Sequence, residues 1–173
     1  MPITDKLATL DHQFSARVRV AEKPGPLRTA AIGLAHSGDS PIWIVGLLLV
    51  VWLGSPFWKR EAWLAFVGVW VAAVVVQALK WTFRRQRPAG EWGQGYRQID
   101  PHSFPSGHAA RAFMLAAVAV TLGPVWWAMV LMMWATLVSL ARVAMGVHYL
   151  SDVAVGAVIG FGCGAGVVVV LGR

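Results

Sequence analysis

"AWLAFVGVWVAAVVVQALK", residues 62–80, decides the architecture of this chain. Eighteen uncharged positions run up to a lysine, with Gln77 the one strongly polar side chain among them. At ~1.5 Å per residue the 19 residues cover roughly 28 Å, close to the ~30 Å hydrocarbon core of a bilayer. Lipid offers backbone amides no partner, so such a segment must satisfy its own N–H and C=O groups and folds as a helix. Four further apolar segments accompany it, at 41–57, 108–122, 125–140 and 153–171. The pattern predicts an all-α, polytopic membrane helix bundle of about five to six transmembrane helices.

Composition agrees. Of 173 residues, 57% are hydrophobic and only 13% are charged, about half the charged fraction of an ordinary soluble domain. Ten tryptophans and eighteen glycines suit aromatic belts and close helix contacts, and tryptophans 43, 58, 63, 81, 126 and 127, near segment ends, read as interface anchors. The net charge of +7 sits mostly beside apolar segments, which favours anionic headgroups or a phosphate-bearing substrate over nucleic acid as partner. The single cysteine, Cys163, excludes an internal disulfide and suggests no thiolate metal site. No signal-peptide pattern opens the sequence.

Before the first apolar segment, Ile3, Leu7, Leu10, Phe14 and Val18 form one helical stripe, with Asp5, Lys6, Asp11, Arg17 and Arg19 elsewhere. This predicts an N-terminal amphipathic helix, either a soluble-facing surface helix or one lying in the membrane interface. After the break "EKPGPLR", residues 27–37 form a helix too short to span. The whole is read as one integral membrane domain, 1–173: interfacial N-terminal helices at 1–37 and a bundle at 41–171 that carries motifs at 80–88, 105–108 and 142–152.

Counting five spans brings the end of 62–80, the start of 108–122, the end of 125–140 and the start of 153–171 to one membrane face. The chemistry-bearing residues cluster at those four points. In "KWTFRRQRP", Lys80 and Arg87 are seven residues apart, on one face if the helix persists, although Pro88 disfavours helix at Arg87. Arg84 and Arg85 are expected to hold headgroups. In "PSGH", Ser106 offers a hydroxyl, Gly107 a closely approachable backbone and His108 a titratable ring at a helix start, where free amides and the dipole attract anions. An ordinary N-cap would use the same serine and glycine. In "RVAMGVHYLSD", Asp152 lies four residues after His148 and can either orient that imidazole or cap the last helix. Together these residues supply charge neutralisation, a nucleophile and a proton donor, the requirements of phosphoryl transfer.

Lys80-x6-Arg87-Pro88, Pro105-Ser106-Gly107-His108 and Arg142-x5-His148-x3-Asp152 resemble the three ordered motifs of the type 2 phosphatidic acid phosphatase superfamily. The resemblance covers residues 80–152, and the flanking spans suit the small bacterial members. It departs at Ala141, where the family often has serine; Ser139 is two positions further back. The resemblance implies a phosphatase that needs no metal or other cofactor and works through a phosphohistidine. His148 would be the nucleophile, Asp152 its orienter and His108 the acid and then the base. Lys80, Arg87, Arg142, Ser106 and Gly107 would hold phosphoryl oxygens. The substrate it implies is a lipid phosphate or diphosphate, such as phosphatidylglycerol phosphate, phosphatidic acid or a polyprenyl diphosphate.

Alternatives remain open at this point: a lipid phosphotransferase, or a non-catalytic phospholipid-binding or transport protein. A vanadate-dependent haloperoxidase, which shares the triad, is argued against by the spans. The loop 89–104, with Trp92, Tyr96, Arg97, Asp100 and His102, reads as an interfacial loop or a headgroup-sensing lid. His12, His36 and His102 have no metal-ligand spacing. The positive-inside count points the motifs to the cytoplasm, whereas the resemblance implies a periplasmic site in a bacterial inner membrane.

Overall fold

The computed structural model describes residues 3–90, 92, 95, 96, 98 and 100–172. Arg97 and Arg173, and the side chains of Ile3 and Asp5, lie outside the described residues. Apart from a single bridge between Gln86 and His102, the regular structure there is helical. The principal helices are α1 (Ile3–Val18), α2 (Pro26–Ser37), α3 (Ser40–Leu53), α4 (Pro56–Phe83), α5 (Gly107–Leu122), α6 (Val125–Ala144) and α7 (Leu150–Leu171).

Four of the five apolar segments each lie within one helix, and 41–57 is broken at Gly54–Ser55, where α3 gives way to α4; proline or a small residue marks most of the starts. Pro56 stands in the first turn of α4 and Pro41 in that of α3, where a missing N–H costs nothing. By length and composition, α4, α6 and α7 can each cross a membrane. Helices α2 and α3 meet that test only together, bent by 49° at Gly38–Asp39. By this measure residues 27–37 belong to a bent pair, a broken span or a re-entrant loop, and not to a separate sixth span. The apolar α5, 16 residues long, falls short of the span length.

Helix α5 is the centre of the bundle. Ala109, Ala112, Met114, Ala116, Ala117 and Ala119 are all buried against its neighbours. Its tightest contact is with α7, where Gly156, Gly160 and Gly164 form a stripe one turn apart. A β-carbon at Gly156 would stand 2.6 Å from Ser106 O, and one at Gly164 2.6 Å from Met114 O; at Gly160 it would collide with the Ala110 carbonyl. Backbone therefore meets backbone, the packing that replaces the hydrophobic effect between helices in lipid. The outer surface is apolar, with Trp52, Val74, Val125, Val158 and Val170 all exposed. The expected anchors divide: Trp63, Trp81 and Trp126 are exposed, whereas Trp43 and Trp127 pack on the core. Trp43 Nε1 donates to Ser37 O, and Trp134 Nε1 to Ser37 Oγ, both at 2.9 Å, fixing the bend between α2 and α3.

Helix α1 inverts the arrangement of a soluble surface helix. Leu7, Leu10 and Phe14 of its apolar stripe are exposed, while Asp11 and Ser15 face the bundle. Ser15 Oγ accepts the Leu150 N–H at 2.9 Å and Asp11 Oδ1 the Ser151 N–H at 3.0 Å. Two of the orphan amides that open α7 are thereby satisfied from the far end of the chain.

Candidate active site

Lys80 stands in the last turn of α4, which closes at Arg84 in the left-handed region, φ 46°. The helix ends at Phe83, so Lys80 and Arg87 do not share a helical face as their spacing suggests. The chain turns back instead, and loop 89–104 supplies their meeting point. Asp100 accepts from Lys80 Nζ, and its Oδ2 accepts from Arg87 Nη2 at 2.9 Å. Arg87 Nε donates to Asp100 O at 2.8 Å, and Nη1 to Val147 O at 2.9 Å. Both cations are almost fully buried.

Helix α5 begins with Ser106 as N-cap, its Oγ 3.5 Å from the Ala109 N–H. The Ser106 N–H donates to Asp152 O at 3.0 Å, tying the start of α5 to the start of α7. Ser106 is buried in this capping role, and Gly107 and His108 are the motif residues on the cavity wall. His108 Nε2 lies 2.8 Å from Asp39 Oδ1, and Asp39 Oδ2 lies 2.8 Å from His36 Nδ1.

Arg142, in the last turn of α6, is buried and donates from Nη1 to Tyr96 Oη at 3.0 Å. Gly146, at φ 69°, then makes the turn that a β-carbon would strain and delivers His148 into the cavity. His148 Nε2 is 3.1 Å from Arg87 Nη1. Its Nδ1 is 3.4 Å from Asp152 Oδ2, not aligned for a hydrogen bond. A guanidinium only donates, so Nε2 is the acceptor and carries the lone pair; the proton belongs on Nδ1, beside Asp152. Asp152 also does the capping work considered for it, but as the third residue of α7: the N-cap is Tyr149, whose N–H it accepts at 2.9 Å.

Lys80, Arg87, Gly107, His108, Arg142 and His148 line one cavity of about 240 Å³. The convergence counted from alternating spans is therefore present, and both imidazoles share the space. Burial, and then the cations Arg87, Arg142 and Lys80, hold His148 well below the ordinary imidazole range, with Asp100 opposing. His148 is thus neutral near pH 7, as a nitrogen nucleophile must be. Burial works to raise the Asp100 carboxyl, but Lys80 and Arg87 overcome it and the group stays ionised. The arrangement can bind a tetrahedral anion between three cations, with one imidazole lone pair and one further imidazole at hand.

Several residues take parts that the sequence reading did not give them. Arg85 is no headgroup clamp: it pairs with Asp11 and Asp152, each at 2.7 Å, and lies 3.9 Å over the Tyr149 ring. Asp39 and Asp100 contact site residues 69 and 13–20 positions away in sequence, and only folding reveals such pairs. His12 stacks on Tyr149. Ser139 Oγ is buried without a hydrogen-bond partner among the described residues and is not on the cavity wall.

Comparison with known proteins gives the same grouping. A family model described as the PAP2 superfamily matches residues 61–173. The decaprenylphosphoryl-5-phosphoribose phosphatase of Mycobacterium tuberculosis H37Rv is 34% identical over 152 residues, 84% of this chain and 81% of that protein. Its counterpart in Mycolicibacterium smegmatis is 32% identical over 151 residues, 82% and 77% of the two chains. The crystal structure of Aquifex aeolicus LpxE superposes with a TM-score of 0.71 at 27% identity, over 88% of this chain and 93% of that one. A transmembrane PAP2-type phosphatidylglycerolphosphate phosphatase from Bacillus subtilis, at 22% identity, shares the fold with a TM-score of 0.74 over 95% and 86%. The chain belongs to the PAP2 superfamily, as an integral membrane phosphatase.

Proposed function

We propose that this enzyme hydrolyses a phosphate monoester carried on a membrane lipid, without a metal ion, through a phosphohistidine at His148. The observation that carries the reading is the Arg87 N–H directed at His148 Nε2 inside a cavity shared with Lys80, Arg142 and His108. In the first step the Nε2 lone pair forms a P–N bond and the P–O bond to the lipid breaks. His108 gives its proton to the departing oxygen. In the second step water attacks phosphorus, His108 takes the water proton, and inorganic phosphate leaves with His148 restored. Lys80, Arg87, Arg142 and the Gly107 amide neutralise the equatorial oxygens. Ser106, off the cavity wall, serves by capping the helix that presents Gly107 and His108, and Asp152 stabilises charge on the His148 ring.

The relatives named above support a polyprenyl-linked phosphosugar as the first substrate to test, followed by phosphatidylglycerol phosphate, phosphatidic acid and polyprenyl diphosphates. The family resemblance is the ground for proposing a site that faces the periplasm of a bacterial inner membrane, against the positive-inside count, which points to the cytoplasm.

The test is a quench of purified enzyme with radiolabelled lipid phosphate in detergent. A label that is stable in base, labile in acid and absent from His148→Ala is expected, with turnover unchanged by EDTA. A labelled His148→Ala variant, or activity lost to the chelator, would overturn the mechanism.

A further inference from the structure

The bend between α2 and α3 puts a carboxylate against the second imidazole of the site. Asp39 is the last residue of the two-residue break, and its two oxygens hold two rings, His108 Nε2 and His36 Nδ1, both at 2.8 Å. His36 stands three residues before Asp39, whereas His108 is 69 positions away on α5. The break itself is fixed, by the Trp43 and Trp134 bonds to Ser37 and by Arg111 of α5 donating to the Gly38 carbonyl.

The surroundings of His108 make that carboxylate consequential. Facing it are Arg111 on its own helix, Arg142 from α6, Lys80 from α4, and Arg87 and His148 across the cavity. Burial first, and then the cations Arg142, Arg111, Lys80 and Arg87, opposes a positive charge on the ring. Asp100, the carboxylate on the cavity wall, is engaged by Lys80 and Arg87. An imidazole among cations donates protons near neutral pH only if an anion supports its charged form. A carboxylate accepts and never donates when ionised, so the His108–Asp39 contact also keeps a proton on Nε2. That leaves Nδ1 as the ring position able to exchange a proton with the leaving group.

The geometry points to Asp39 as the positioning residue for the acid of this reaction: held by His36, it orients His108 through Nε2 and sustains its protonated form so that Nδ1 can protonate the departing oxygen. This rests on the proposed role of His108. Asp39 touches no reacting atom; its effect passes through the ring.

Leaving-group chemistry tests it. An alkoxide leaves poorly without a proton, whereas p-nitrophenolate leaves unaided. For purified full-length enzyme, kcat/KM covers the steps through leaving-group departure, and it is measured across pH with lysophosphatidic acid in mixed micelles and with p-nitrophenyl phosphate. Asp39→Asn, which keeps the shape and removes the charge, is expected to lose about 10²-fold with the alkyl ester, the lower range for general acid catalysis. It should lose less than about threefold with the aryl ester, whose turnover also certifies a folded protein. Its basic limb should move to lower pH, because losing an anion weakens the proton's hold on His108.

If His108→Gln shows the selective alkyl defect while Asp39→Asn keeps the wild-type ratio and limb, the inference is overturned and the mechanism stands. If His108→Gln is equally impaired on both esters, or on neither, the acid role of His108 falls, and the role of Asp39 falls with it. If Asp39→Asn also loses the aryl activity, Asp39→Glu decides: recovery of both the alkyl rate and the basic limb supports a carboxylate function, and recovery of neither overturns it.

Discussion

Arg87 Nη1 stands 3.1 Å from His148 Nε2 while the same guanidinium grips Asp100 and the Val147 carbonyl. One arginine thereby sets the tautomer of the proposed nucleophile and holds the loop and turn on either side of it. Its planar fork makes these contacts together, which an ammonium cannot do. We expect Arg87→Ala to lose about 2.7–4 kcal/mol of transition-state stabilisation, roughly 10²–10³-fold in kcat/KM. Arg87→Lys should recover less than a tenth of that loss. Steady-state kinetics of the two variants on one lipid phosphate check both statements.

The depressed basicity of His148 fixes the direction of the acid limb. Only the neutral ring attacks, and burial with Arg87, Arg142 and Lys80 holds its proton affinity below that of an ordinary imidazole. Activity should therefore persist below pH ~6.5, the usual imidazole value, and fall only in more acid solution. Lys80→Met removes one of those cations, so its acid limb should lie at higher pH than that of the wild type. A pH–kcat/KM profile of both proteins tests the sign.

Asp100 occupies the place where substrate oxygens would meet Lys80 and Arg87. Its ion pairs must be exchanged for phosphate on binding, so the carboxylate competes with the ligand. Asp100→Ala should bind inorganic phosphate more tightly, by about tenfold for each ~1.4 kcal/mol of competition removed. Product inhibition by phosphate measures this directly. Weaker inhibition would mean that Asp100 holds the cations in place and does not compete for them.

The contact between α5 and α7 leaves no room for a side chain at Gly160, where a β-carbon meets the Ala110 carbonyl. Gly160→Val should destabilise the protein by roughly 1–3 kcal/mol. Because the Ser106 N–H to Asp152 O bond lies on the same interface, activity should fall with it. Gly162, whose β-carbon would meet nothing within 4 Å, is the control: Gly162→Val should melt and turn over as the wild type does. Thermal melts in detergent compare the two.

Much of this architecture could be read before folding, for physical reasons. Apolar length betrays a lipid-crossing helix, so 62–80 and 153–171 were plain, and alternating spans predicted the common end where His108 and His148 meet. Motif spacing gathered Lys80 and Arg87 into one candidate site and made their common helical face conditional on a helix that Pro88 disfavours; the left-handed close at Arg84 ends that helix before Arg87. Charge alone misplaced Arg85, which reads as one more juxtamembrane base until Asp11 arrives from α1 to pair with it. Asp39 and Asp100 were illegible because nothing local marks them: one lies in a helix break, the other in a loop, and each acquires meaning only from a partner on another element. Asp152 was weighed as cap or orienter, and its geometry serves the first directly while keeping it within 3.4 Å of the second.

The glycine stripe has a mechanical corollary. Two helices that touch main chain to main chain, and are stitched at their tops by an amide-to-carbonyl bond, have almost no slack and travel as a single strut. Both imidazoles are mounted at that stitched end, so their separation is insulated from whatever deformation admits a lipid. Any breathing that opens a doorway for a headgroup must be borne by the elements packed around the strut and not by the strut itself.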